Sequence, residues 1–334
     1  MRASVLAPTL LLCAAAPLVA QQAASPAHVA HPAATSGTAT HPAGHAMPAT
    51  AAEPMDHAEH MDHAAHMAGM AQAAPAARVV LADSTLPAGA EEAEARLAAS
   101  PRHAEWMMVP SGNGDSTRVW VVYPERSDRA PVVVVVHEIF GLSPWVRAVA
   151  DQLAAEGFIA VAPDLLTRYD VPGSPNNPNA DSARAVIRNV DNADMNRQVS
   201  AVAKWAMALP AALPQYGIVG FCWGGSASFA HAVFNAPDLK AAVVYYGTSP
   251  EAAELSSVHV PVLGLYGGND ARVGATIPRA DSALKALGRT YEHHEYAGAG
   301  HGFLRQQSGQ NGANLEATKQ AWPATVAWFR RYLR

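Results

Sequence analysis

Cys222 is the residue in this chain best placed to act as a nucleophile. It stands in Gly220-Phe221-Cys222-Trp223-Gly224-Gly225, after the apolar run Tyr216 to Gly220 and before Ser226-Ala227-Ser228-Phe229-Ala230. The run reads as a buried strand and the following stretch as a helix. Strand, G-x-C-x-G, helix is a sharp turn that lifts a side chain above a sheet, and its glycines are needed where Cβ atoms would collide. A sulfur there sits at a helix N-terminus, where free N–H groups favour a thiolate and can also hold an oxyanion. The alternative is that Cys222 is a small buried hydrophobe.

Two further residues stand where strands should end. Asp270 closes Tyr266-Gly267-Gly268-Asn269-Asp270, and His301 lies in Gly298-Ala299-Gly300-His301-Gly302-Phe303. Alone, the first reads as a turn former and the second as an ordinary surface or core histidine. Nucleophile, acid and histidine in that order are the chain order of α/β-hydrolases. His231, His259, His293 and His294 fall within or beside elements and read as packing or surface residues.

The elements that must position these residues follow from patterning. Ala104 to Val109 and Thr117 to Tyr123, around a Pro/Ser/Gly/Asn turn, predict an N-terminal β-hairpin. Pro131 to His137, with five consecutive valines, predicts a strand covered on both faces. Helices are predicted at 143–156, 181–188, 194–209, 278–287 and 315–333, and further strands at 158–161, 240–246, 260–266 and 291–296. The alternation means an α/β fold: a mostly parallel sheet with helices on both faces, whose ligands gather at the carboxyl ends of the strands.

The catalytic region resembles the dienelactone hydrolase family over about Ala104 to Arg334. The motifs are H-E-I-F-G-L from His137, A-P-D-L from Ala162, G-F-C-W-G-G, G-N-D and G-H-G-F. The resemblance implies an α/β-hydrolase fold, ester or lactone hydrolysis without a cofactor, and a triad of Cys222, Asp270 and His301. It implies that Glu138 contacts the resting thiol, which would keep the sulfur neutral and less oxidisable; the other reading of Glu138 is a helix-entry charge. The oxyanion hole would be the backbone N–H groups of Trp223 and Ile139. Arg305 would grip a substrate carboxylate, with Arg184 or Arg188 as its companion; ordinary solvated charge is the alternative for all three.

The first hundred residues are of another kind. Residues 1–24 read as a signal peptide, Arg2 followed by an apolar stretch and small residues, which predicts an exported, periplasmic or secreted protein. A lipid-anchor signal through Cys13 is disfavoured by Leu12. Cleavage would leave Cys222 as the sole cysteine, unable to form an internal disulfide. Residues 25–100 are rich in Ala, His, Pro and Met and predict a disordered linker with a short helix near Glu91 to Ala99, leaving 101–334 as the catalytic domain. Within the linker His57, His60, His63 and His66 recur every third residue beside Met55, Met61 and Met67, donors suited to copper or zinc. The second functional reading is therefore an exported metal-binding protein that uses the hydrolase fold as a scaffold; a solvated spacer is the bland one. The net charge of −5 argues against a nucleic-acid partner, and no later stretch has the roughly 18 uninterrupted apolar residues of a membrane span. A small-molecule substrate and a monomer are expected. An exported location sets this chain apart from the cytoplasmic enzymes of aromatic breakdown, so another small ester, lactone or activated acyl compound is as good a candidate substrate as a dienelactone.

Overall fold

The valines from Val132 to Val136 alternate between two apolar clusters. Val132, Val134 and Val136 enter one and Val133 and Val135 the other, as the two-residue pleat of a strand requires. The computed structural model describes residues 83–334; the signal peptide, most of the linker and the four spaced histidines lie outside the described residues. The strands are β1 (Ala104–Gly112), β2 (Asp115–Val122), β3 (Ala130–Val136), β4 (Ile159–Asp164), β5 (Ala212–Phe221), β6 (Leu239–Tyr245), β7 (Val262–Gly267) and β8 (Tyr291–Tyr296). They form one sheet in the order β1-β2-β4-β3-β5-β6-β7-β8. β1 with β2 and β2 with β4 are antiparallel, and every other pair is parallel.

Helices cover both faces, as the patterning predicts. In chain order they are α1 (Ala93–Ala98), α2 (Pro144–Ala155), α3 (Ala180–Val186), α4 (Asn192–Met207), α5 (Trp223–Phe234), α6 (Ala271–Gly274), α7 (Ile277–Ala286) and α8 (Ala313–Tyr332). Val199 and Val202 of α4, Phe229 of α5 and Leu284 of α7 share the cluster of the even-numbered valines, whereas Trp145 and Leu153 of α2 and Trp322 and Phe329 of α8 share the other.

Two differences from the patterning have plain causes. The hairpin strands run closer together than predicted because Asn113 and Gly114, at φ 56° and 81°, make a two-residue turn whose twist matches the strands. Residues 83–100, read from the sequence as linker, are tied onto the α2 face. Leu86, Ala88 and Ala93 are buried in its cluster. The Trp145 indole N–H donates to the Ala88 carbonyl at 3.1 Å, and the Ala90 N–H donates to the Arg305 carbonyl at 2.9 Å. Among the described residues no helix is long and apolar enough to cross a membrane.

The topology places the chemistry. Glu138 follows β3, Cys222 follows β5, Tyr246 follows β6, Asp270 follows β7 and His301 follows β8, so all five stand at the carboxyl ends of parallel strands.

Candidate active site

β5 ends at Phe221 and α5 begins at Trp223, so Cys222 alone turns the chain from strand to helix. It does so at φ 56° and ψ −115°, where residues with a Cβ rarely sit. The turn closes because backbones touch at its glycines. A Cβ on Gly220 would stand 2.0 Å from the Gly224 carbonyl oxygen, and one on Gly224 would stand 2.4 Å from the carbonyl oxygens of Val136 and His137. The helix thus starts at Trp223 rather than at Ser226, with the sulfur at its N-terminus.

Cys222 is free and half-buried. Burial and the nearby Glu138 carboxylate push its thiol up, against the Trp223 N–H that hydrogen-bonds it and the positive charges of Arg272 and Arg305. The resting sulfur therefore holds its proton, although a helix N-terminus by itself favours the thiolate.

Asp270 is nearly buried and caps α6, a short helix that the patterning did not predict. Its Oδ1 accepts from the Val273 N–H at 3.3 Å, and its Oδ2 lies 2.5 Å from His301 Nδ1. A proton on Nδ1 facing the carboxylate leaves Nε2 as the basic nitrogen of His301. The loops carrying the pair are laced together, since Gly268 N–H donates to the Tyr296 carbonyl at 2.8 Å and Asn269 N–H to the Ala299 carbonyl at 2.9 Å. Among the described residues no hydrogen bond joins His301 to Cys222.

Glu138 is buried, and its Oε2 lies 2.8 Å from Arg305 Nε, an ion pair without the alignment of a hydrogen bond. Burial pushes its carboxyl up to about 7, with Arg305 opposing. The resemblance implied a glutamate beside the thiol; the carboxylate pairs with Arg305, and its charge is one of the causes that push the Cys222 thiol up. Arg305 and Arg184 both lie over the Phe140 ring, each at 4.9 Å. The two arginines line a cavity of about 620 Å³ together with Phe140, Trp145, Glu91 and Glu94. Arg184 also pairs with Asp181 at 2.7 Å. Arg188 is exposed and does not line this cavity, so Arg184 is the one that joins Arg305.

Ile139 and Trp223 are both half-buried beside these groups. Tyr246 was missed: the strand predicted through it ends at Tyr245, and Tyr246 takes φ 38°. It is fully buried, its hydroxyl has no hydrogen-bond partner among the described residues, and its ring meets His301 edge-on at 5.1 Å. The signal available was its place at a strand end before Gly247. Phe140, with two guanidinium groups over its ring, gave no signal by residue type. Of the remaining histidines, His231 is buried between Tyr216 and Asn196, each at 2.7 Å. His259 is exposed, and His293 and His294 face Asp281 and Glu292. Among the described residues no group of three or more His, Cys, Asp or Glu side chains could hold a metal.

The family model for the dienelactone hydrolase family matches residues 117–333. The chain belongs to the dienelactone hydrolase family. A family relative from Salmonella typhimurium, assigned as a carboxymethylenebutenolidase, is 32% identical over 271 residues, covering 75% of this chain and 97% of that protein. One from Escherichia coli with the same assignment is 31% identical over 245 residues, covering 69% and 87%. The crystal structure of a Klebsiella pneumoniae protein assigned as a dienelactone hydrolase superposes with a TM-score of 0.62 at 30% identity, covering 69% of this chain and 99% of that one. A dienelactone hydrolase-like promiscuous phosphotriesterase from metagenomic libraries gives 0.61 at 24% identity, a likeness of fold alone. The family match begins in β2, after the 83–100 segment that packs on α2.

Proposed function

We propose that this dienelactone hydrolase family protein hydrolyses small esters or lactones through an acyl thioester on Cys222. The observation that carries the reading is the Asp270–His301 pair at 2.5 Å, set at the same sheet edge as the elbow cysteine. His301 Nε2 takes the thiol proton while Sγ attacks the carbonyl carbon. The oxyanion is held by the backbone N–H groups of Ile139 and Trp223. Collapse breaks the C–O bond, and the alkoxide leaves with the proton from His301. Water then gives a proton to His301 and attacks the thioester, releasing the acid and restoring the thiol. Asp270 orients the imidazole and stabilises its charged form.

Arg305 and Arg184 over Phe140 suit a substrate with a carboxylate. Such a substrate would compete with Glu138 for Arg305, so binding would alter the field at the sulfur. Export led by residues 1–24 belongs to the same proposal, and N-terminal sequencing of the mature protein tests it. No observation favours the metal-binding scaffold, whose histidines lie outside the described residues.

The test is Cys222→Ala assayed on p-nitrophenyl acetate and dihydrocoumarin, with mass spectrometry of the wild type for an acyl group on Cys222. Loss of a nucleophile costs about 10⁴–10⁶ in kcat. More than about a tenth of wild-type turnover in the variant, set against that range, overturns the assignment.

A further inference from the structure

His137 is fully buried at the carboxyl end of β3, and the mechanism above gives it no role. Its Nδ1 lies 2.7 Å from the Glu138 carbonyl oxygen, and its Nε2 lies 3.2 Å from the Leu165 nitrogen. The Leu165 N–H is a donor, so Nε2 accepts and Nδ1 carries the proton that goes to the carbonyl. Burial holds the ring in this neutral form, opposed by the Asp164 carboxylate and the Glu138 carbonyl.

That carbonyl belongs to the peptide joining Glu138 to Ile139. In a trans peptide the C=O and N–H point to opposite sides, so drawing the oxygen toward His137 turns the Ile139 N–H away from it. The Gly141 N–H makes a second bond to the same oxygen at 3.3 Å. The Ile139 N–H donates to no acceptor among the described residues. An amide without a partner is costly where water cannot reach it, unless something else uses it. The imidazole also stacks on Trp223, with centroids 5.8 Å apart and planes at 21°. One side chain therefore meets the peptide that carries the Ile139 N–H and the ring of Trp223, the two residues whose amides were assigned to the oxyanion.

The geometry points to His137 as a positioning residue of the oxyanion hole: its Nδ1–H clamps the Glu138–Ile139 peptide with the Ile139 N–H toward the carbonyl under attack. Without the clamp only the 3.3 Å bond from the Gly141 N–H holds that oxygen, and a flipped peptide presents an oxygen to the developing negative charge. The inference rests on the proposed thioester mechanism.

Two substitutions separate the two ring nitrogens. The amide of His137→Asn places a donor where Nδ1 stands, whereas the amide of His137→Gln reaches Nε2 and leaves the carbonyl without its clamp. Each is assayed for kcat/KM on p-nitrophenyl acetate and for the rate at which iodoacetamide alkylates Cys222, a displacement that builds no oxyanion. The Gln variant should lose about 10²–10³ in kcat/KM, the size of one lost oxyanion donor. The Asn variant should stay within about tenfold of wild type, well short of that loss. Alkylation should remain within about threefold of wild type in both, because a donor to the oxyanion acts only where charge develops. His137→Phe, which fills the ring's volume, repeats the measurement if the Gln variant does not fold. Equal turnover by the Asn and clamp-less variants overturns the proposal, as does alkylation that falls in step with turnover. If alkylating Cys222 in the wild type leaves its activity intact, the thioester mechanism fails instead.

Discussion

Asp270 and Glu138 are both carboxylates at the carboxyl edge of the sheet, both with side chains under a tenth exposed, and both within reach of a side-chain nitrogen. Burial alone cannot separate them; their hydrogen bonds can. Asp270 has an N–H at one oxygen, from the first turn of α6, and an imidazole at the other. Among the described residues Glu138 has only the poorly aligned Arg305 guanidinium against its desolvation. A carboxylate held at both oxygens is suited to a fixed task, orienting His301 through each step. One held by a single cation that a substrate carboxylate can also claim is suited to change.

The comparison breaks most visibly at the fixed member. Asp270→Asn keeps the shape but removes the charge and reverses the hydrogen-bond preference at His301 Nδ1, so kcat should fall by about 10³–10⁴. Stopped-flow or steady-state turnover of p-nitrophenyl acetate measures it. A fall no larger than that of Glu138→Gln would mean the two carboxylates are not divided in this way.

The next effect is on the cation. Arg305→Ala should lower kcat/KM for an ester bearing a carboxylate by about 10²-fold, the scale of a lost charge-assisted contact. It should leave a neutral acetate ester within about fivefold, since that substrate makes no such contact. Arg184→Ala should do less, about threefold or under, because Arg184 is half-exposed and already paired with Asp181. Paired assays on the charged and neutral esters decide this. Equal losses on both would mean Arg305 supports the fold of the site rather than its substrate.

What the sequence disclosed was the part of the site carried by motif and period. Alternating strands and helices located the sheet, and chain order placed Cys222, Asp270 and His301 at strand ends. Glu138 and Arg305 came from resemblance, and their pairing did not, because an ion pair between residues 138 and 305 depends on how two loops meet. Tyr246 was lost for a local reason: its apolar neighbours continue the strand pattern, whereas its backbone has already left the strand at φ 38°. The segment 83–100 was read as linker because its composition is poor in large apolar residues, yet Leu86, Ala88 and Ala93 suffice to dock it where α2 presents Trp145. The role of His137 depends on which atom each ring nitrogen meets, and no spacing encodes that.

The smallest effect concerns stability and tests Glu138 at rest. Its folded carboxyl is raised to about 7 from an ordinary value of 4.5. Below the ordinary value both folded and unfolded chains hold the proton. Between the two values the unfolded chain has released it and the folded chain has not, so the unfolded state gains and stability falls as pH rises. Above the raised value the loss is complete. Glu138→Gln removes this contribution, so the Tm of the wild type minus that of the variant should decline from pH 4.5 to pH 7 and then level off. Thermal unfolding across that range, at constant ionic strength, measures the difference. A difference that rises with pH would show that the Arg305 charge outweighs burial and holds Glu138 ionised at rest, and both carboxylates would then be fixed charges.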